Sequence, residues 1–157
     1  MSYNSIVYCN KCLLNSNSHS FRILNSSDTT NNAVLYTKIA DAENYDDTDG
    51  ILNHYRELLN LLDNREWIWI FDCDDLEIKH CFEIKTSLGI IDILQKNNKN
   101  KQILIINSNI FLTIIINSIK LFMDNSISDK IKIFKKDEKD LLIEELELLN
   151  INFDIIK

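Results

Sequence analysis

The stretch Ile103-Leu104-Ile105-Ile106-Asn107-Ser108-Asn109-Ile110-Phe111-Leu112-Thr113-Ile114-Ile115-Ile116-Asn117-Ser118-Ile119-Lys120-Leu121-Phe122-Met123 decides the fold. Its first four residues are an unbroken aliphatic run that ends at Asn107, too short for a helix of its own. Such a run, without polar alternation, marks a strand buried on both faces. From Ile110 to Met123 the spacing predicts a helix that is apolar almost all round, although the triplet Ile114-Ile115-Ile116 also suits a strand through its β-branching.

The same pattern extends in both directions. Trp67-Ile68-Trp69-Ile70-Phe71 reads as a second buried strand, ending at Asp72. Val34-Leu35-Tyr36 and Ile131-Lys132-Ile133-Phe134 read as two more. Between them, Ile51, Leu52, Tyr55, Leu58, Leu59 and Leu62 share one helical face, capped by Thr48 or Asp49. Cys81, Ile84, Leu88, Ile91 and Leu94 form another stripe. Leu142, Leu146 and Leu149 form a third, with Glu144, Glu145 and Glu147 outside. The tail Ile151 to Ile156 reads as a final strand, and Ile6-Val7-Tyr8 and Phe21-Arg22-Ile23-Leu24 as short ones. Strand and helix alternate about four times. That implies an α/β fold: a mixed, mostly parallel β-sheet with helices packed on it. The pattern sharpens at Ala33, so the expected organisation is an N-terminal extension over 1–32 and one domain over 33–157.

Composition narrows the function classes. The 157 residues suit one domain, and 45% apolar residues can fill a core. Two glycines and no proline disfavour Gly-rich phosphate loops and Pro-rich classes. A net charge of −7 is the wrong sign for a nucleic-acid binder. Residues 1–78 carry thirteen acidic and five basic side chains; residues 79–157 carry eleven and twelve. The lysines of the second half, Lys96, Lys99 and Lys101 at one turn and Lys130, Lys132, Lys135, Lys136 and Lys139 beyond, suit an anionic membrane surface or a solvated face. The first residues, Met1-Ser2-Tyr3-Asn4-Ser5, carry neither a basic nor an apolar leader region, so a reducing, cytoplasmic setting is expected. The Ile110–Met123 stretch falls short of the ~20 residues of a membrane span.

That stretch raises the functional question. A surface helix of a small domain normally has one apolar stripe and one polar face. Each large apolar side chain left in water forgoes about 1.5–3 kcal/mol. The outer face is therefore expected to meet a partner, a membrane interface or a bound acyl chain, unless the helix is central to the core.

Two further constellations carry chemistry. Asp72-Cys73-Asp74 at a strand end places two carboxylates where haloacid-dehalogenase phosphotransferases hold nucleophile, acid/base and Mg²⁺. Ile103 to Ser108 suits that family's second motif, while Asp75-Leu76 departs from its first. Cys9-Asn10-Lys11-Cys12 has redox or zinc spacing. It is followed by Leu13-Leu14-Asn15-Ser16, which does not read as a helix. The further ligands His19, Cys73, His80 and Cys81 lack a second tight spacing, so free surface thiols and no metal are expected. His54 reads as lying on the polar side of its helix and His80 as a helix-start residue. No G-x-S-x-G nucleophile elbow is present. No catalytic residue and no cofactor is expected.

From Ala33 onward the order of elements resembles a CRAL-TRIO domain, the fold of phosphatidylinositol-transfer and related lipid carriers. Trp67-Ile68-Trp69-Ile70-Phe71-Asp72 is similar to the family strand that ends in Asp, and Ile103-Leu104-Ile105-Ile106-Asn107 to its strand ending in Ile-Asn. The apolar helix falls where the family has a mobile gate helix. Leu121-Phe122-Met123-Asp124 followed by Lys130-Ile131 is similar to its Pro-Phe-Leu … Thr … Lys-Ile stretch. The resemblance implies non-enzymatic binding, with transfer between membranes, of one phospholipid, phosphatidylinositol included, or another apolar lipid. Its tails would lie against Phe111, Ile114, Ile115, Ile119 and Phe122, and its headgroup near Ser126, Ser128 and Lys130. It also implies a transient membrane surface as partner, peripheral membrane association and no nucleic acid. The family Thr falls on Ile127, the family Tyr-Pro-Glu turn falls on Lys96-Asn97-Asn98, and the family's preceding helical segment has no counterpart. The chain also resembles the divergent CRAL-TRIO and BCH group, whose likeness implies a scaffold with a small GTPase as partner.

Overall fold

The computed structural model describes residues 9–24 and 32–156. One five-stranded sheet runs in the order β1 (Phe21–Leu24), β2 (Ala33–Lys38), β3 (Trp67–Asp72), β4 (Asn100–Ser108) and β5 (Ile131–Lys135). β1 is antiparallel to β2, and the other pairs are parallel. A parallel step needs a crossover. These are α2 (Thr48–Leu61), α3 (Ile84–Lys96), and α4 (Ile110–Ile119) with the short α5 (Asn125–Ser128). Three crossovers of one hand along a sheet that grows in one direction all land on the same face. The alternating residues Leu35, Trp67, Trp69, Ile103 and Ile105 accordingly pack with Leu58, Ile91, Leu112 and Ile115.

The opposite face is covered by α6 (Lys139–Leu148). Val34, Ile68, Ile70, Leu104 and Ile106 pack there against Leu142, Leu146 and Ile151. Two buried faces explain why β2, β3 and β4 are continuous apolar runs, as the sequence implied. The α/β class, with a mixed and mostly parallel sheet, is as read. Phe21–Leu24 does form a strand. It belongs to the same sheet, and Phe21 is a core residue stacked 3.6 Å from the Tyr55 ring. Ile6-Val7-Tyr8 lies outside the described residues.

Four local expectations differ. The apolar helix stops at Ile119 and tightens into a 3₁₀ turn over Lys120–Phe122 instead of running to Met123. Cys81 sits in a separate 3₁₀ turn, Ile78–Phe82, before α3. The tail is a 3₁₀ turn, Phe153–Ile156, not a strand. The cause is local: Asn150 adopts φ 56°, and the Ile151 amide donates back to the Leu146 carbonyl at 2.8 Å. That left-handed cap turns the chain under α6 and away from the sheet edge. Glu145 is not on the solvent face. Its Oε1 accepts from Lys132 Nζ at 2.6 Å and Gln102 Nε2 at 2.9 Å.

Candidate ligand-binding site

A cavity of about 120 Å³ lies between the sheet and the helices of the crossover face. Trp69, Phe71, Ile103 and Ile105 form its floor. Ile51 and Tyr55 of α2, Ile90, Ile91 and Leu94 of α3, and Leu112, Ile115, Ile116 and Ile119 of α4 form its walls. Met123, Ile127 and Ile131 close one end, and the polar side chains of His19, Tyr45, His80 and Glu83 also line the cavity.

Several of these polar groups are satisfied within the protein. Thr37 Oγ1 accepts from Trp69 Nε1 at 3.0 Å and pairs with the Tyr55 hydroxyl at 3.2 Å. Thr86 pairs with Thr48 at 2.7 Å, and His80 Nδ1 accepts from the Glu77 amide at 2.9 Å. Burial pushes the Tyr55 hydroxyl up and the His80 ring down, so both are held neutral. The hollow thus offers hydrocarbon contact and few polar partners, which suits an apolar ligand.

The roof is α4. Asn109 is its N-cap: Oδ1 accepts from the amides of Phe111 and Leu112, while Nδ2 donates to the carbonyls of Cys73 and Leu76. Leu112, Ile115 and Ile119 face inward. The opposite side leaves Ile110, Ile114, Leu121 and Phe122 exposed, at 67%, 39%, 94% and 60%. The helix that looked too apolar for its position therefore has both a hollow beneath and a bare patch outside.

The eight residues singled out by sequence are dispersed around this roof. Ile115 and Ile119 line the cavity. Phe111 packs at the margin of the core, whereas Ile114 and Phe122 point outward. Ser126 and Ser128 are exposed on α5 and flank the buried Ile127; the Ser126 hydroxyl donates to Asp124. Lys130 is half-buried beside Ile131. Sequence reasoning missed the floor and the α2 and α3 walls. Their signal was present, since Trp69, Tyr55 and Ile91 lie on the stripes already read, but the stripes do not reveal where packing is left incomplete.

Half of the eight lysines singled out in the second part of the chain are paired with carboxylates. Lys132 is paired with Glu145, Lys136 with Asp74, Lys96 with Asp92 and Lys101 with Glu66. Asp72 is likewise engaged. Its two oxygens accept from the Tyr36 hydroxyl at 2.7 Å, Asn107 Nδ2 at 2.8 Å and the Asp74 amide at 2.9 Å. This is the environment of a strand-end clasp, with three donors on one carboxylate.

Two expectations about the N-terminal residues are corrected. Cys12 is buried, not a surface thiol, because α1 (Asn10–Leu14), a single turn capped by Cys9, presses it inward. His54 is 1% exposed and faces the protein interior from α2, since it lies three residues from Ile51 and four from Leu58 on the apolar stripe. Burial holds its ring down to about 4 and pushes the Cys12 thiol up to about 12.

A model of the CRAL/TRIO domain matches residues 17–151. The chain belongs to that family. The crystal structure of Sfh5 superimposes on this CRAL/TRIO chain with a TM-score of 0.62 at 16% identity, covering 84% of it. The chain spans about half (52%) of the length of that structure. No curated protein matches it in sequence. The family is one of lipid-binding domains, and the sheet with its crossover helices is the family fold.

Proposed function

We propose that this CRAL/TRIO domain binds a single lipid without catalysis and passes it between membranes, with α4 as the gate. The observation that carries the reading is the apolar hollow directly beneath α4. At about 120 Å³ it is close to the size of the engineered cavities of about 150 Å³ that hold a benzene molecule. A phospholipid tail is far larger, so α4 swings outward on loading and its inner residues Ile115 and Ile119 then cover acyl chain. Each buried CH₂ contributes about 0.8 kcal/mol.

The exposed Ile110, Ile114, Leu121 and Phe122 supply the contact with a membrane surface. The headgroup lies at the α5 end. Support for this comes from Ser126, Ser128 and Lys130, which flank the cavity-closing residues Ile127 and Ile131. Phosphatidylinositol is one phospholipid that this arrangement would serve.

The test is native mass spectrometry and lipidomics on the purified chain, followed by transfer of labelled phospholipid between vesicles. One lipid per chain is expected, and Ile115→Asp or Ile119→Asp should reduce transfer at least tenfold. A lipid-free chain that also takes up none from vesicles overturns the reading and favours a scaffold. Unchanged transfer by both folded variants overturns the gate.

A further inference from the structure

Cys9, Cys12, His19 and His54 converge where α1, the segment before β1 and α2 meet. The two Sγ and two Nδ1 atoms all lie within 4.8 Å of one another. Cys9 Sγ is 3.3 Å and Cys12 Sγ 3.5 Å from His19 Nδ1. Cys12 Sγ is 3.4 Å from His54 Nδ1, and the two Nδ1 atoms are 3.4 Å apart. Hydrogen bonding does not account for this cluster. His19 Nδ1 has either one proton or one in-plane lone pair, yet it faces three partners at contact distance.

A cation at the centre accounts for all four. Tetrahedral zinc, with Zn–S about 2.3 Å and Zn–N about 2.0–2.1 Å, sets S···N edges of roughly 3.6 Å and N···N edges of roughly 3.4 Å. We infer that Cys9, Cys12, His19 and His54 form a structural zinc site that clasps the N-terminal segment to α2.

The surroundings have the form of a metal centre's outer shell. His19 turns its other nitrogen, Nε2, to Asp47 Oδ2 at 3.0 Å, the carboxylate–histidine arrangement that fixes a ligand's tautomer and orientation. Asp47 is held in turn by Lys11 at 2.6 Å and by its role as N-cap of α2. The Cys12 amide donates to Cys9 Sγ at 3.3 Å, which suits a thiolate. His54 Nε2 is buried without a hydrogen-bond partner, so this ring's polar stabilisation has to come through Nδ1.

The ligand chemistry selects the metal. Two thiols and two imidazoles suit zinc over the oxygen-loving cations, and four protein ligands leave no open coordination position. The role is structural. Cys9, Cys12 and His19 sit on a short, loop-rich segment with little core of its own, and His54 sits on a packed helix. The bond network ties one to the other beside the edge strand β1, and His19 also lines the cavity. The site stands independently of the lipid reading.

The full chain, expressed with zinc and dialysed against metal-free buffer, should hold one zinc per chain by elemental analysis. X-ray absorption at the zinc edge should show two sulfur and two nitrogen neighbours. Stripping the metal should lower Tm by about 10 °C or more. Cys12→Ser should lose the metal, and His54→Cys should retain it with three sulfurs, which guards against a variant that fails to fold. A chain that folds with native Tm and takes up neither zinc nor cobalt(II) from a stoichiometric salt overturns the inference.

Discussion

Asp72 ends β3 with its carboxylate buried and three donors directed at it, and each donor comes from a different place in the chain. The Tyr36 hydroxyl reaches across from β2, Asn107 from the end of β4, and the Asp74 amide from the turn that follows. Asn107 can do this because it adopts φ 53°, a left-handed conformation that asparagine tolerates. Removing one donor leaves a buried carboxylate oxygen short of a partner, a loss of about 1–3 kcal/mol. Tyr36→Phe and Asn107→Ala should each lower the unfolding free energy from urea titration by that amount while lipid uptake persists; a loss below about 0.5 kcal/mol for both would show the clasp to be ornamental. The sequence displayed the strand-ending Asp72 plainly. It could not display the clasp, since Tyr36 and Asn107 stand 36 and 35 residues away. The Cys/His cluster was illegible for the same reason: Cys9 and Cys12 announce themselves by spacing, but His54 joins them only once α2 is packed.

Elements carry the next level of information. Most of each helix stripe and each buried strand that packs in the sheet was legible from periodicity, because burial on one face or both leaves a direct trace in residue order, whereas Cys81 and His54 were misplaced. What periodicity does not encode is how closely two helices approach. Gly89 of α3 faces Leu52 of α2, and a Cβ at that position would lie 2.5 Å from Leu52 Cδ1. Alanine gains roughly 1 kcal/mol in helix propensity over glycine, whereas forcing extra volume into a packed contact costs about 1–3 kcal/mol. Repulsion wins here because Leu52 is itself buried and has little room to turn aside. Gly89→Ala should therefore lower Tm despite its better propensity, and Gly89→Ala with Leu52→Ala should recover part of the contact term in a double-mutant cycle. A rise in Tm for Gly89→Ala alone would mean that α2 and α3 are less firmly seated than their contact implies.

At the scale of the whole molecule, the hollow is itself an energetic statement. Sealed core vacancies are destabilising by about 24 cal/mol per Å³, so about 3 kcal/mol is the upper bound on what this 120 Å³ hollow, partly open to solvent, costs the fold. That is a large share of a domain's net stability, commonly 5–15 kcal/mol. Larger side chains at the wall would remove the penalty, and the chain has isoleucine at many of those positions. A cost of this kind persists where function needs the space. Filling it should then separate stability from function. Ile115→Phe adds volume from the roof into the hollow, and we expect a higher Tm for the lipid-free protein together with loss of co-purified lipid. The smaller Ile115→Val should do the reverse, lowering Tm slightly and leaving lipid uptake intact. Differential scanning calorimetry on delipidated protein reads the first quantity and vesicle transfer the second. If Ile115→Phe stabilises the fold and still loads lipid as the parent chain does, the ligand lies somewhere other than beneath α4.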